Sequence, residues 1–126
     1  MKPLAREWAA KAEGDFVVAA QIMRQRKNQV LDAACFHCQQ SAEKYLKARL
    51  SEAGIAFPKT HDLVVLLKLV LPKEPLWASL MAAAQTLTDY AVDFRYPGDS
   101  ANLTEARSAL KHAGAIRREA RSSLGL

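Results

Sequence analysis

Apolar and polar positions alternate with a helical period along almost the whole chain. Over residues 4–26, Trp8, Ala12, Asp15 or Phe16, Ala19, Ile22 and Met23 recur at helical spacing with charge between them, which predicts a first helix. Gly14 in its middle costs about 1 kcal/mol relative to Ala and marks a place where a neighbouring helix has room to approach. Residues 27–29 form a short polar connection, and a second helix is predicted over residues 30–53, closed by Gly54 as a left-handed cap. On this central helix Leu31, Ala34, Cys35, Cys38, Ala42, Tyr45 and Leu46 share one face. His37, Gln40, Ser41 and Lys44 form an organised polar edge beside it at i, i+3, i+4 and i+7.

Pro58 makes the stretch after Gly54 a loop, since it disfavours helix at Phe57. Thr60 is the expected N-cap of a third helix over residues 61–71, with Asp62 in its first turn and Pro72 closing it. Pro75 suits the start of a fourth helix reaching Phe94, whose core stripe is Leu76, Leu80, Ala83, Ala84, Leu87, Ala91 and Phe94. Pro97-Gly98 stops it. Asn102, with Glu105 three residues on, predicts a capping box opening a fifth helix that buries Leu103, Ala106, Leu110 and Ala113. Residues 122–126 are expected to fray. No segment alternates with period two and no Asn-Gly hairpin signal occurs, so the chain is expected to be all-α, an up-and-down bundle.

A length of 126 residues with half of them apolar suits one compact domain spanning 1–126. No apolar run is long enough for a bilayer, so no membrane association is expected. The opening Met-Lys-Pro-Leu-Ala-Arg-Glu-Trp lacks an apolar h-region, which makes a cytoplasmic location with reduced cysteines the expectation. The net charge of +5 permits a polyanionic partner without requiring one. Charge is unevenly placed: over residues 74–99 four acids face Arg95 alone, whereas from residue 101 onward five bases face Glu105 and Glu119. Such asymmetry suits subunit pairing or a charged ligand, and equally suits solvated helix faces.

Cys35-x-x-Cys38 matches a metal or redox motif in text only. Zinc needs four ligands, and His37 points away from the cysteines while His61 and His112 sit on other helices. A redox pair belongs at a strand-to-helix junction, which is absent. Core packing of two small polarizable side chains is the simpler reading, with no metal and no cofactor expected. His37, Gln40, Ser41 and Lys44 suit either a polar ligand or a hydrogen-bond network between helices. The densest chemistry is Asp89-Tyr-Ala-Val-Asp-Phe-Arg-Tyr-Pro-Gly-Asp99. Asp89 and Asp93 stack one turn apart at a helix end, followed by Arg95, whose planar fork suits phosphate or carboxylate, and by Tyr96. The acids suit a divalent cation only weakly, or an ion pair with Arg95 or a neighbouring base.

Cys35-Phe-His-Cys-Gln-Gln-Ser-Ala-Glu-Lys-Tyr-Leu-Lys47, Thr60-His-Asp-Leu63, Leu87-Thr-Asp-Tyr90 and Arg95-Tyr-Pro97 together resemble a HEPN domain, and Ala12-Glu-Gly-Asp-Phe16 resembles that family's opening. The resemblance covers nearly the whole chain. It implies four long helices plus a short one, usually as a homodimer. Small free-standing prokaryotic members are often encoded beside a minimal nucleotidyltransferase, as two-component or toxin–antitoxin modules. Catalytic relatives carry Arg-x(4–6)-His and cleave RNA without metal. Arg95 fits the first position, but the histidine would fall on Ser100, Ala101 or Asn102, none of which carries an imidazole. The resemblance therefore implies a module binding a nucleotide or a nucleotidyltransferase partner through Arg95, Tyr96, Asp89 and Asp93, with His37, Gln40 and Lys44 as a second patch. The alternative is a ribonuclease with a degenerate motif.

Overall fold

The structure, a computed structural model, describes residues 1–94 and 96–126. It contains five α-helices and no strand among the described residues: α1 (Pro3–Arg24), α2 (Leu31–Ala53), α3 (Leu63–Val70), α4 (Met81–Thr88) and α5 (Leu103–Leu124). Short 3-10 segments, Pro75–Leu80 and Asp89–Ala91, flank α4. No helix among the described residues is long and apolar enough to cross a membrane.

Helix α2 is the axis of the bundle and packs against all four others. Its predicted face is inside, with Ala34, Cys35, Cys38, Ala42, Tyr45 and Leu46 buried and Leu31 half-buried. Burial does not stop there. Gln39, Ser41, Glu43 and Lys47 are also buried, whereas His37, Gln40 and Lys44 of the polar edge are half-buried. Helix α1 runs antiparallel to α2, as the contacts Glu13–Tyr45 and Asp15–His37 show. Helix α5 runs parallel to α2, with the Ala101 N–H donating to Asp32 at 2.7 Å at the start of both. Alanines at Ala9, Ala12, Ala106, Ala109 and Ala113 let these helices approach closely around one core.

The caps explain the boundaries. Gly54 ends α2 at φ 71°, as its sequence position predicts. Asn102 and Glu105 form the complete capping box, each side chain engaging the other's backbone N–H. The expected start of α3 at Thr60 is corrected. Asp62 is the cap, accepting from Val64 and Val65, while the Thr60 hydroxyl accepts from the Asp62 N–H. A carboxylate offers these N–H groups a stronger, charge-assisted partner than a hydroxyl. Helix α1 stops at Arg24 rather than at residue 26, where the Gln29 side chain turns back onto the carbonyls of Ile22 and Met23.

Four further expectations fail. The fourth helix is not continuous to Phe94: it enters and leaves as 3-10 helix and its last helical residue is Ala91. Near its end the Thr88 hydroxyl donates to the Ala84 carbonyl at 2.7 Å and accepts from the Leu63 N–H, drawing the backbone off the α ladder. Leu76, placed in the core stripe, is 89% exposed, because the tighter 3-10 period carries Trp77 and Leu80 inward instead. Residues 122–126 are ordered by tertiary packing: Leu124 is buried, and Gly125 at φ 76° closes α5 in a left-handed cap. Gly14 admits no neighbour, since a Cβ there would meet nothing within 4 Å.

Candidate functional site

The segment between α4 and α5 carries the densest predicted chemistry. Asp89 and Asp93 stay one turn apart, but on a 3-10 segment followed by a turn, with the Asp93 N–H donating to the Asp89 carbonyl at 2.8 Å. Both carboxylates are exposed. Loss of water around Asp93, then the nearby negative charges of Asp89, Asp99 and Glu105, push its carboxyl above the usual range. Phe94 holds φ 67°, a left-handed conformation that costs a bulky residue strain, and its ring rests on Tyr90 at 5.5 Å. Arg95 lies outside the described residues. Tyr96 is 71% exposed, and its carbonyl accepts from the Asp99 N–H across the Pro97-Gly98 turn.

The second predicted patch resolves into inter-helix networks. Asp15 on α1 receives both His37 Nδ1 at 2.8 Å and Lys44 Nζ at 2.6 Å, which brings these two predicted residues together. Gln40 points elsewhere, donating to Gln39 at 2.7 Å. Gln39 in turn donates to Glu43 and to the His61 carbonyl. Glu43 is the hub: one carboxylate oxygen meets His61 Nδ1 at 2.8 Å and the other accepts from Lys47 at 2.9 Å. Lys47 also lies 5.3 Å from the Trp8 ring and 5.9 Å from the Phe57 ring. Sequence reasoning does not single out Glu43, Gln39 or Lys47. The only local signal is the Glu–Lys pair at i, i+4, which normally marks a solvated face.

A third network joins α1, α2 and α5. The Arg117 guanidinium grips both oxygens of Glu13, and the Tyr45 hydroxyl donates to Glu13 at 2.8 Å while accepting from Arg121. The Arg117 hydrogen bond holds the Glu13 carboxyl down at about 2. Cys35 and Cys38 are free and fully buried, and burial pushes their thiols up to about 11 and about 12. They are packing residues, inert as thiolates. No group of three or more metal-ligating side chains occurs among the described residues. No hydrogen bond or ion pair links the His37–Lys44 network to Asp89, Asp93 or Tyr96 among the described residues.

The HEPN domain model matches residues 5–123. The chain belongs to the HEPN family. Its fold is similar to the crystal structure of TT1696 from Thermus thermophilus, with TM-score 0.78, 26% identity and 96% and 98% of the two chains covered. It is also similar to ST0689, an archaeal HEPN homologue, with TM-score 0.73, 25% identity and 98% of each chain covered. No curated protein matches the sequence. Within this HEPN chain the positions following Arg95 are accounted for structurally. Ser100 is exposed, the Ala101 N–H is bound to Asp32, and the Asn102 side chain accepts from the Glu105 N–H at 2.8 Å as the cap of α5.

Proposed function

We propose that this chain is one half of a two-component or toxin–antitoxin pair, a homodimeric HEPN module that binds a nucleotide or a minimal nucleotidyltransferase through the segment between α4 and α5. The observation that carries this reading is the 71% exposure of Tyr96, which follows Arg95 in the sequence two residues after the left-handed Phe94. An exposed phenol ring offers a stacking surface for a base or an anchor for a partner protein. Arg95 engages a phosphate or carboxylate, and Asp89 and Asp93 orient it.

A ribonuclease gains no support from residues 100–102, because Asn102 is committed to a cap and neither neighbour is an acid or base at neutral pH. Titration calorimetry with ATP, and with a co-expressed nucleotidyltransferase, tests the proposal. Arg95→Ala and Tyr96→Ala are expected to abolish binding of at least one of them while leaving helicity and melting unchanged. Binding unaltered in both variants removes the segment from the site. Cleavage of single-stranded RNA in EDTA by the purified protein would replace this reading with the ribonuclease.

A further inference from the structure

Helix α5 turns one line of cations to the solvent. Arg107, Lys111 and Arg118 are exposed, and with Gly114 they occur at i, i+4, i+7 and i+11 on a helix of 22 residues. They therefore lie along one edge over roughly 16 Å, at a rise of about 1.5 Å per residue. None of the three joins an ion pair among the described residues, whereas Lys44, Lys47, Arg49 and Arg117 are each held by a carboxylate. Past the C-terminal end of the line, Arg6 and Arg121 line a cavity of 280 Å³ with Ala9, Ala10, Glu13 and Leu126. Glu13 is gripped by Arg117 through both oxygens and also pairs with Arg121 at 3.8 Å, so of the two cavity cations Arg6 is the one outside any ion pair among the described residues. Glu119, the exposed acid of α5, sits about 100° round the axis from Arg118 and off the line.

The composition of the face selects the partner. No large apolar side chain of α5 is exposed, so the face lacks the apolar centre of a protein interface. The helix holds no Phe, Tyr or Trp, so it lacks the stacking platform that captures unpaired bases. Spaced cations without apolar or aromatic anchors match a regular array of phosphates, which is read by charge alone. We propose that the outer face of α5 docks the backbone of a double-stranded nucleic acid without sequence preference, through Arg107, Lys111 and Arg118, with Arg6 extending the track. The site is distinct from the Arg95 segment and does not depend on it.

The test is fluorescence anisotropy of a labelled mixed-sequence DNA duplex of about 20 base pairs, titrated with the full chain between about 50 and 200 mM salt. The wild type is expected to bind with log K falling against log salt at a slope of about −2.7 for three phosphate contacts, steepening to about −3.6 if Arg6 contributes. The variant Arg107→Gln/Lys111→Gln/Arg118→Gln should bind about tenfold more weakly or worse at low salt, with its slope flattened by about 2.7. If that variant loses its far-UV helix signal, Arg118→Gln alone carries the test through a slope change of about 0.9. Arg95→Ala should leave duplex binding unchanged, which separates this site from the proposed nucleotide site. No binding at low salt, a wild-type slope in the triple variant, or tighter binding of the matching single strand overturns the proposal. Displacement by polyglutamate at equal charge overturns it too, in favour of an acidic protein partner.

Discussion

Glu13 and Arg117 stand 104 residues apart in the chain and meet in a two-pronged ion pair with both N···O distances at 2.6 Å. The pair is partly shielded, and Arg117 also lies over the Phe16 ring at 4.9 Å. It fixes α1 to α5 at the point where the Tyr45 hydroxyl enters from α2. Replacing Glu13 by Gln keeps the shape but removes the charge that holds Arg117 and orders Tyr45. Glu13→Gln is expected to lower unfolding free energy by about 1.5–3 kcal/mol, the range for hydrogen bonds to charged groups, in urea melts at neutral pH. A change below about 0.5 kcal/mol would mean the pair is no stronger than an exposed one.

The same contact sets an acid limb of stability. The folded-state Glu13 carboxyl sits at about 2, against an ordinary 4.5 in the unfolded chain. Between those values the unfolded state binds more protons, so stability rises with pH across that window. The contribution is fully present above about 4.5 and is lost as pH falls towards 2. Urea midpoints measured over this interval should fall for the wild type and fall less for Glu13→Gln. Parallel curves would show that other carboxylates carry the acid limb.

Glu43 is the most demanding polar group in the fold, 4% exposed and shared by His61, Gln39 and Lys47. Glu43→Ala strands a Lys47 ammonium that is itself 9% exposed at the side chain. A loss of about 3–5 kcal/mol is expected, since removing one partner leaves a buried charge uncompensated. The double variant Glu43→Leu/Lys47→Met should recover most of it, because a well-packed apolar pair often matches a buried ion pair. Equal destabilisation of single and double variants would show that the His61 and Gln39 contacts, rather than Lys47, carry the effect.

What the sequence reveals here follows the range of each interaction. Gly54 and the Asn102–Glu105 box are legible because a cap is settled within four residues. The Thr60-to-Asp62 correction is a choice between two good local caps, and backbone geometry decides it. The break in the fourth helix depends on Thr88 reaching Leu63 across 25 residues, which no local pattern encodes. At the candidate site the i, i+4 spacing of Asp89 and Asp93 is legible, but the 3-10 backbone beneath them and the left-handed Phe94 are not. His37 and Lys44 announce a polar edge, yet their shared partner Asp15 comes from another helix and reads in sequence as an apolar-stripe position.

Gly14 offers a gain rather than a loss. It is exposed in the middle of α1, and a Cβ there meets nothing within 4 Å. Gly14→Ala is expected to stabilise the protein by about 0.5–1 kcal/mol through helix propensity and a less flexible unfolded chain. Thermal melting should rise by a few degrees, about 2–6 °C for a domain of this size. No rise would indicate a role for the bare helix surface, such as close contact with a second molecule.

The two cysteines test the core directly. Cys35 and Cys38 are fully buried, with thiols pushed up to about 11 and about 12, against an ordinary 9.0, chiefly by burial. At neutral pH the native protein holds almost no thiolate, and reagent has no path to either sulfur. Labelling with a thiol-disulfide reagent should therefore be slow in buffer and complete within the mixing time in denaturant. The native rate should track the unfolding equilibrium, rising in Glu43→Ala in proportion to its loss of stability. Fast labelling of one cysteine in the native state, unaffected by Glu43→Ala, would place that sulfur at the surface and make Cys35-x-x-Cys38 a candidate chemical site again.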